Sequence, residues 1–171
     1  MYESIGTGDI IDDAMTTAKL SLDSVYIIWS EQDSDIMFKR NAISFDPTIN
    51  LSNTTGKSSG PAMAAFENNV YVVWTDESPG YSGIRYRKST DGGASFGRNM
   101  LLDPYYGSFA AVAVSGNNVY VVYNSPVTGN SEILYKKSTN GGDSFGGTVN
   151  ISNTTENSYS PRVAASNNLS L

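Results

Sequence analysis

Three times the chain writes nearly the same apolar run: VYIIW at 25–29, VYVVW at 70–74 and VYVVY at 119–123, at spacings of 45 and 49 residues. A second apolar run follows each: IMFKR at 36–40, IRYRKS at 84–89 and ILYKKS at 133–138. A small-residue segment precedes them: PAMAAF at 61–66, FAAVAV at 109–114, PRVAAS at 161–166, and a looser AMTTAKL at 14–20. TINLSNTT at 48–55 and TVNISNTT at 148–155 close two of the units, 100 residues apart. A repeat of this size constrains the fold more than any composition does. One unit is a single supersecondary module that cannot bury its faces alone and must stack on its neighbours.

The runs choose the architecture. VYVVW is apolar at every position, which predicts a strand buried on both faces. A two-sheet sandwich buries one face per sheet and would show alternation. A propeller blade lies between two others, so its inner strands lose water on both sides. The Ala-rich segments suit the innermost strand, where blades converge. IRYRKS alternates, with Ile84 and Tyr86 inward and Arg85 and Arg87 toward water. Helical periodicity is absent. The expected fold is all-β: about three four-stranded antiparallel propeller-type blades plus an orphan strand, as an incomplete ring. The units run 14–60, 61–108 and 109–160, with a partial fourth at 161–171 and an N-terminal segment, 1–13, available as an exchanged strand.

Between the second run and the closing segment lies a turn written twice, STDGGASF at 89–96 and STNGGDSF at 138–145. A tight turn needs residues tolerant of positive φ, hence the paired glycines. Its Asp or Asn side chain can accept backbone N–H groups of the same turn, and its aromatic can staple the turn to the blade. The pattern resembles the Asp box of sialidases and related propellers. Ser89, Asp91, Gly93, Ser95 and Phe96 match it, and so do Ser138, Gly142, Ser144 and Phe145, with Asn140 in place of the Asp. The first unit has only NAISF at 41–45 there. The resemblance implies a structural role for the box, on the rim away from the ligand face.

The same resemblance makes a sialidase site the obvious question. That site implies three arginines clamping a carboxylate, a Tyr nucleophile with a Glu partner, and an Asp acid/base. The first arginine is expected two residues before a Pro on an inner strand. Here Ser59-Gly60 precede Pro61 and Tyr159-Ser160 precede Pro161. Of the five arginines, only Arg162 is placed to approach the axis. The catalytic residues do not carry over, and none is assigned.

Other residues suit binding. Tyr81, Tyr105, Tyr106 and Tyr159 fall in loops of the presumed ligand face, where a flat ring with a polar tip serves glycan or protein contact, or packs loop on blade. Glu31, Asp33 and Asp35 share one loop and are weak calcium candidates, because alternating carboxylates can build a flexible oxygen cage. They equally suit a solvated turn. Asn50, Asn53, Asn150, Asn153 and Asn168 each begin a glycosylation sequon.

Composition narrows the classes. With no Cys and no His, there are no disulfides, thiol chemistry, Cys/His metal sites or histidine base. A net charge of -6 with no basic block argues against nucleic acid as a partner. No apolar run reaches the roughly 18 residues of a membrane span, and residues 1–13 do not read as a signal peptide. The sequence therefore points to a non-catalytic extracellular or cell-surface propeller module, binding glycan or protein, with no cofactor beyond a conceivable calcium. Self-association would complete the ring or form a filament. The alternatives are part of a glycan-processing, sialidase-like hydrolase and a structural subunit of an oligomer or filament.

Overall fold

The computed structural model describes residues 24–31, 35–41, 46–79, 83–126 and 129–166. Eleven strands are formed among them, and no helix. The first sheet holds β1 (Val25–Glu31), β2 (Asp35–Asn41) and β3 (Ile49–Asn50). The second holds β4 (Ser58–Phe66), β5 (Asn69–Asp76), β6 (Gly83–Ser89) and β7 (Met100–Asp103). The third holds β8 (Ser108–Ser115), β9 (Asn118–Ser125), β10 (Glu132–Ser138) and β11 (Val149–Asn150). Every pairing is antiparallel, and strands follow one another across each sheet in chain order. These are three propeller-type blades in a row. The blade 1 segment expected as an inner strand, 14–20, lies outside the described residues, as does 1–13.

The blades stack through two apolar joints, and β5 serves both. Val70, Val72 and Trp74 join Ile36, Phe38 and Leu51 between blades 1 and 2. Tyr71 and Val73, on the other face of the same strand, join Ile84, Tyr86, Val119, Val121 and Tyr123 between blades 2 and 3. All five residues of VYVVW are at most 1% exposed. A continuous apolar run is what a strand needs when both its faces are joints.

Four expectations need correction. VYIIW in β1 is buried on one face only: Tyr26 and Ile28 pack against the joint with blade 2, while Val25 and Ile27 are exposed. The side of β6 bearing Arg85 and Arg87 is not open to water. Both are half-buried, in register beside Trp74 and Val72 of β5, and burial pulls the Arg87 guanidinium below its ordinary value. Arg85 Nε lies 3.6 Å from the fully buried Asp76 carboxylate. The stretch 161–166 forms no strand among the described residues. Finally, the turn aromatic staples a blade not to itself but to the blade before it. Phe96 packs edge-on to Phe38 at 4.9 Å, and Phe145 to Tyr86 at 5.0 Å.

Candidate functional site

The two ends of the blade stack are built differently. One end carries the β4–β5 and β8–β9 hairpins and the two glycine turns. These are tied together by Gly92 N–H to Asn68 O and Gly141 N–H to Asn117 O, each 2.8 Å. In the first turn Ser89 Oγ donates to Asp91 Oδ1 (2.7 Å) and accepts from Gly93 N (2.8 Å) and Asp91 N (3.3 Å). That uses its one proton and both lone pairs. Asp91 in turn accepts Ser95 N (2.9 Å) and Ser95 Oγ (2.6 Å). The Ser95 hydroxyl and N–H, then the Ser89 hydroxyl, hold the Asp91 carboxyl far below its ordinary value. The second turn repeats the pattern with Ser138, Asn140, Gly142 and Ser144. Its last bond runs the other way, because Asn140 Nδ2 donates to Ser144 Oγ at 2.9 Å.

Each turn is also half of a blade joint. A Cβ on Gly93 would sit 2.7 Å from Phe38 Cζ, and one on Gly142 would overlap Tyr86 Oη. Arg40 Nη1 donates to Gly92 O at 3.0 Å, and Lys88 Nζ pairs with Asp143 at 2.9 Å. A side-chain aromatic and a cation on β2 or β6 of one blade thus seat the glycine turn of the next.

The opposite end is the candidate site. It carries the β5–β6, β7–β8 and β9–β10 connections and the segments after β3 and β11. Tyr105, Tyr106 and Tyr159 are exposed there, Tyr106 at 74%. Tyr81 lies outside the described residues. The entry to the inner strands adds an aromatic that the sequence reading missed. Register shifts bulge β4 between Ser59 and Ala62 and β8 between Ser108 and Ala111. Gly60, Phe109 and Ser160 take positive φ values of 60°, 52° and 53° at equivalent repeat positions. Bulges re-aim side chains next to functional sites. A bulky residue in the left-handed region stores strain there. Phe109 is turned outward and exposed, beside a cleft of about 310 Å³ lined by Gly60, Pro61, Phe109 and Arg162. A second cleft of about 440 Å³ is lined by Asp76, Glu77, Tyr106 and Ser108. Of the three positive-φ residues, only Gly60 signals that conformation by its residue type.

Carboxylates at this end hold loops. Asp103 accepts Tyr105 N at 2.7 Å and Tyr123 Oη at 2.5 Å. Burial, then the Asp103 carboxylate, pushes the hydroxyl of the fully buried Tyr123 up. Glu31 and Asp35 face each other across the β1–β2 hairpin, and Asp33 lies outside the described residues. Among the described residues no group of three carboxylates gathers. Asp35 instead accepts Ser52 Oγ at 2.9 Å, while Ile36 N–H donates to the same hydroxyl at 2.9 Å. Glu132 repeats this with Ser152, and Ile133 N–H donates to Ser152 Oγ at 2.8 Å. The Ser152 hydroxyl, then Asn130 and Thr154 N–H, hold the Glu132 carboxyl below its ordinary value against its burial.

The repeated N-x-S-N-T-T segments are therefore turn locks. Asn50 Oδ1 accepts Asn53 N (2.9 Å) and Asn150 Oδ1 accepts Asn153 N (3.0 Å). Asn53 and Asn153 sit at φ of 45° and 44°. Of the sequons, Asn53 and Asn153 are exposed, whereas Asn50 and Asn150 are half-buried in the lock. Asn168 lies outside the described residues.

No family model matches the chain, and no curated protein matches it. Among solved structures it is similar to the NanB sialidase of Streptococcus pneumoniae, at 14% identity over 70% of this chain and 19% of that one, with a TM-score of 0.46. A NanB mutant gives 15% over 76% and 21%, with a TM-score of 0.49. A PL25 ulvan lyase, a polysaccharide lyase, gives 14% over 68% and 36%, with a TM-score of 0.49. The chain spans between a fifth and about a third of the length of these proteins. The blade assignment rests on the chain's own sheet order and joints.

Proposed function

We propose that the chain is a non-catalytic, propeller-type module, extracellular or at the cell surface, that binds glycan at the end opposite its glycine turns. The observation that carries this is the outward aromatic rim of Tyr105, Tyr106, Phe109 and Tyr159, set beside two clefts. Flat rings stack on sugar faces, and the tyrosine hydroxyls and Arg162 supply polar contacts. Exposed Glu31, Glu77 and Glu156 at the same end favour a neutral sugar chain over an acidic one. The turn grammar, with its resemblance to the Asp box, agrees with an extracellular glycan context. Among the described residues there is no helix long and apolar enough to cross a membrane.

Calorimetric titration with xylohexaose, chitohexaose and oligogalacturonate tests the reading. The expected result is binding of a neutral oligosaccharide that Tyr106→Ala and Phe109→Ala each weaken at least about tenfold, the loss of one good stacking contact. No binding to any of the three, or binding indifferent to both substitutions, overturns it. The alternative, a glycan-processing role, would show as turnover of a fluorogenic sialoside by the pure chain.

A further inference from the structure

The two joints of the stack are filled differently. Arg85 and Arg87 lie in register beside Trp74 and Val72, on the face of blade 2 that meets blade 1. In that joint Leu51 is fully buried, and Asn99 Nδ2 of blade 2 crosses to Ser52 O of blade 1 at 3.4 Å. Forty-nine residues on, the same repeat positions carry Leu134, Lys136 and Thr148. Leu134 and Lys136 lie beside Tyr123 and Val121, on the face of blade 3 that meets blade 2. Leucine for arginine and threonine for asparagine shorten the side chains available to fill the joint. A cleft of about 400 Å³ stands beside β7, β10 and β11, and Leu102 and Leu134, one from each blade, form its apolar wall. That volume lies within the roughly 300–1,000 Å³ of small-molecule sites.

The rest of the lining is polar and largely fixed. Tyr105 lines the cleft and is exposed, yet its backbone is tied down. Its N–H donates to the buried Asp103, and its carbonyl accepts from the hydroxyl of the fully buried Ser125, each at 2.7 Å. An aromatic ring on a pinned loop loses little freedom when it stacks on a ligand. Lys136 is half-buried and has no ion-pair partner among the described residues. Asn150 turns Oδ1 to Asn153 N at 3.0 Å, which leaves its Nδ2 as a donor. The Asp103 and Glu132 carboxylates also line the cleft, both already accepting hydrogen bonds. With two carboxylates against one lysine, the cleft disfavours an acidic ligand.

We propose that this cleft between blades 2 and 3 holds one sugar residue of a neutral glycan. A pyranose has a face of C–H groups and a rim of hydroxyls. The C–H face suits Leu102, Leu134 and the Tyr105 ring, and the hydroxyl oxygens accept from Lys136 Nζ and Asn150 Nδ2. Tyr105 also belongs to the aromatic rim, so it joins the cleft to the surface proposed to bind glycan. The inference rests on that glycan reading and adds a specificity subsite to it, set beside the outer strands rather than at the entry to the inner ones.

Calorimetric titration of the whole chain with xylohexaose and chitohexaose tests it. Lys136→Met keeps the aliphatic stem and removes the donor. It should weaken hexasaccharide binding at least about fivefold, the loss of one charge-assisted hydrogen bond, whereas Lys136→Arg should stay within about twofold of the wild type. Leu134→Arg returns the side chain found in the first joint and should close the cleft, weakening binding at least about tenfold. Circular dichroism checks that each variant is folded, and the two Lys136 variants decide the matter if Leu134→Arg does not fold. Binding that Tyr106→Ala weakens but Lys136→Met leaves unchanged overturns the subsite and leaves the glycan reading standing. No binding of either hexasaccharide overturns both. Tighter binding of oligogalacturonate than of either hexasaccharide overturns the neutral class of ligand.

Discussion

Gly142→Ala should cost far more than Gly141→Ala, one residue away. Both positions have positive φ, 84° and 67°. Any side chain there adopts the left-handed region, at about 1–2 kcal/mol. At Gly141 that is the whole cost, because the nearest foreign atom to a new Cβ is Lys88 Nζ at 3.6 Å. At Gly142 the Cβ overlaps Tyr86 Oη and meets Tyr71 Cε1 and Tyr86 Cζ at 3.2 Å. Tyr86 belongs to blade 2, is 1% exposed and is held edge-on by Phe145, so it cannot swing away cheaply. Overpacking adds about 1–3 kcal/mol, for a total of about 2–5 kcal/mol. Tyr86→Phe removes the overlapping atom, a buried hydroxyl with no partner among the described residues. The double variant Tyr86→Phe/Gly142→Ala should therefore recover about 1 kcal/mol or more relative to the single change, while Tyr86→Phe alone is near neutral. Urea denaturation followed by tyrosine and tryptophan fluorescence measures the wild type and all four variants. Equal losses at Gly141 and Gly142, or no recovery in the double variant, would refute the view that the turn glycine is a blade-to-blade contact.

Ser89→Ala leaves Gly93 N–H and Asp91 N–H without their acceptor, and should lower stability by about 1–3 kcal/mol in the same assay without changing oligosaccharide affinity. Asp91→Asn imitates the second turn and should change little at pH 7, but it should flatten the loss of stability in acid. The Asp91 carboxyl is depressed in the fold, so its contribution is complete above the ordinary Asp value of about 3.9 and is lost as pH falls through the folded value. Glu132 adds in the same direction, so Asp91→Asn should reduce the slope between pH 5 and 3, as read by denaturation midpoints, rather than abolish it. An unchanged slope would show that the exposed carboxylate carries no linkage.

The repeat by itself determined the fold class, because period, unbroken apolar runs and paired turn glycines are local signals read by counting. VYVVW had to be buried on both faces, and an Asp accepting backbone N–H within STDGGASF follows from local turn chemistry, although the Ser89 hydroxyl that holds two N–H groups of the same turn does not. What the sequence could not show was direction across the blades. Phe96 and Phe145 reach back to Phe38 and Tyr86, and Arg40 and Lys88 reach forward to the next turn. Which neighbour a side chain meets is decided only when the blades stack. The same holds for Leu51 and Ile151, nearly identical in local sequence, one sealed in a joint and the other exposed. Asn50 and Asn150 read as sugar acceptors in the linear chain, yet their side-chain carbonyls close turns. Phe109 read as one more apolar residue of an inner strand until a bulge and a positive φ turned it outward. Burial belongs to the packed neighbour rather than to the residue, so only the tertiary structure could separate the covered faces from the open ones.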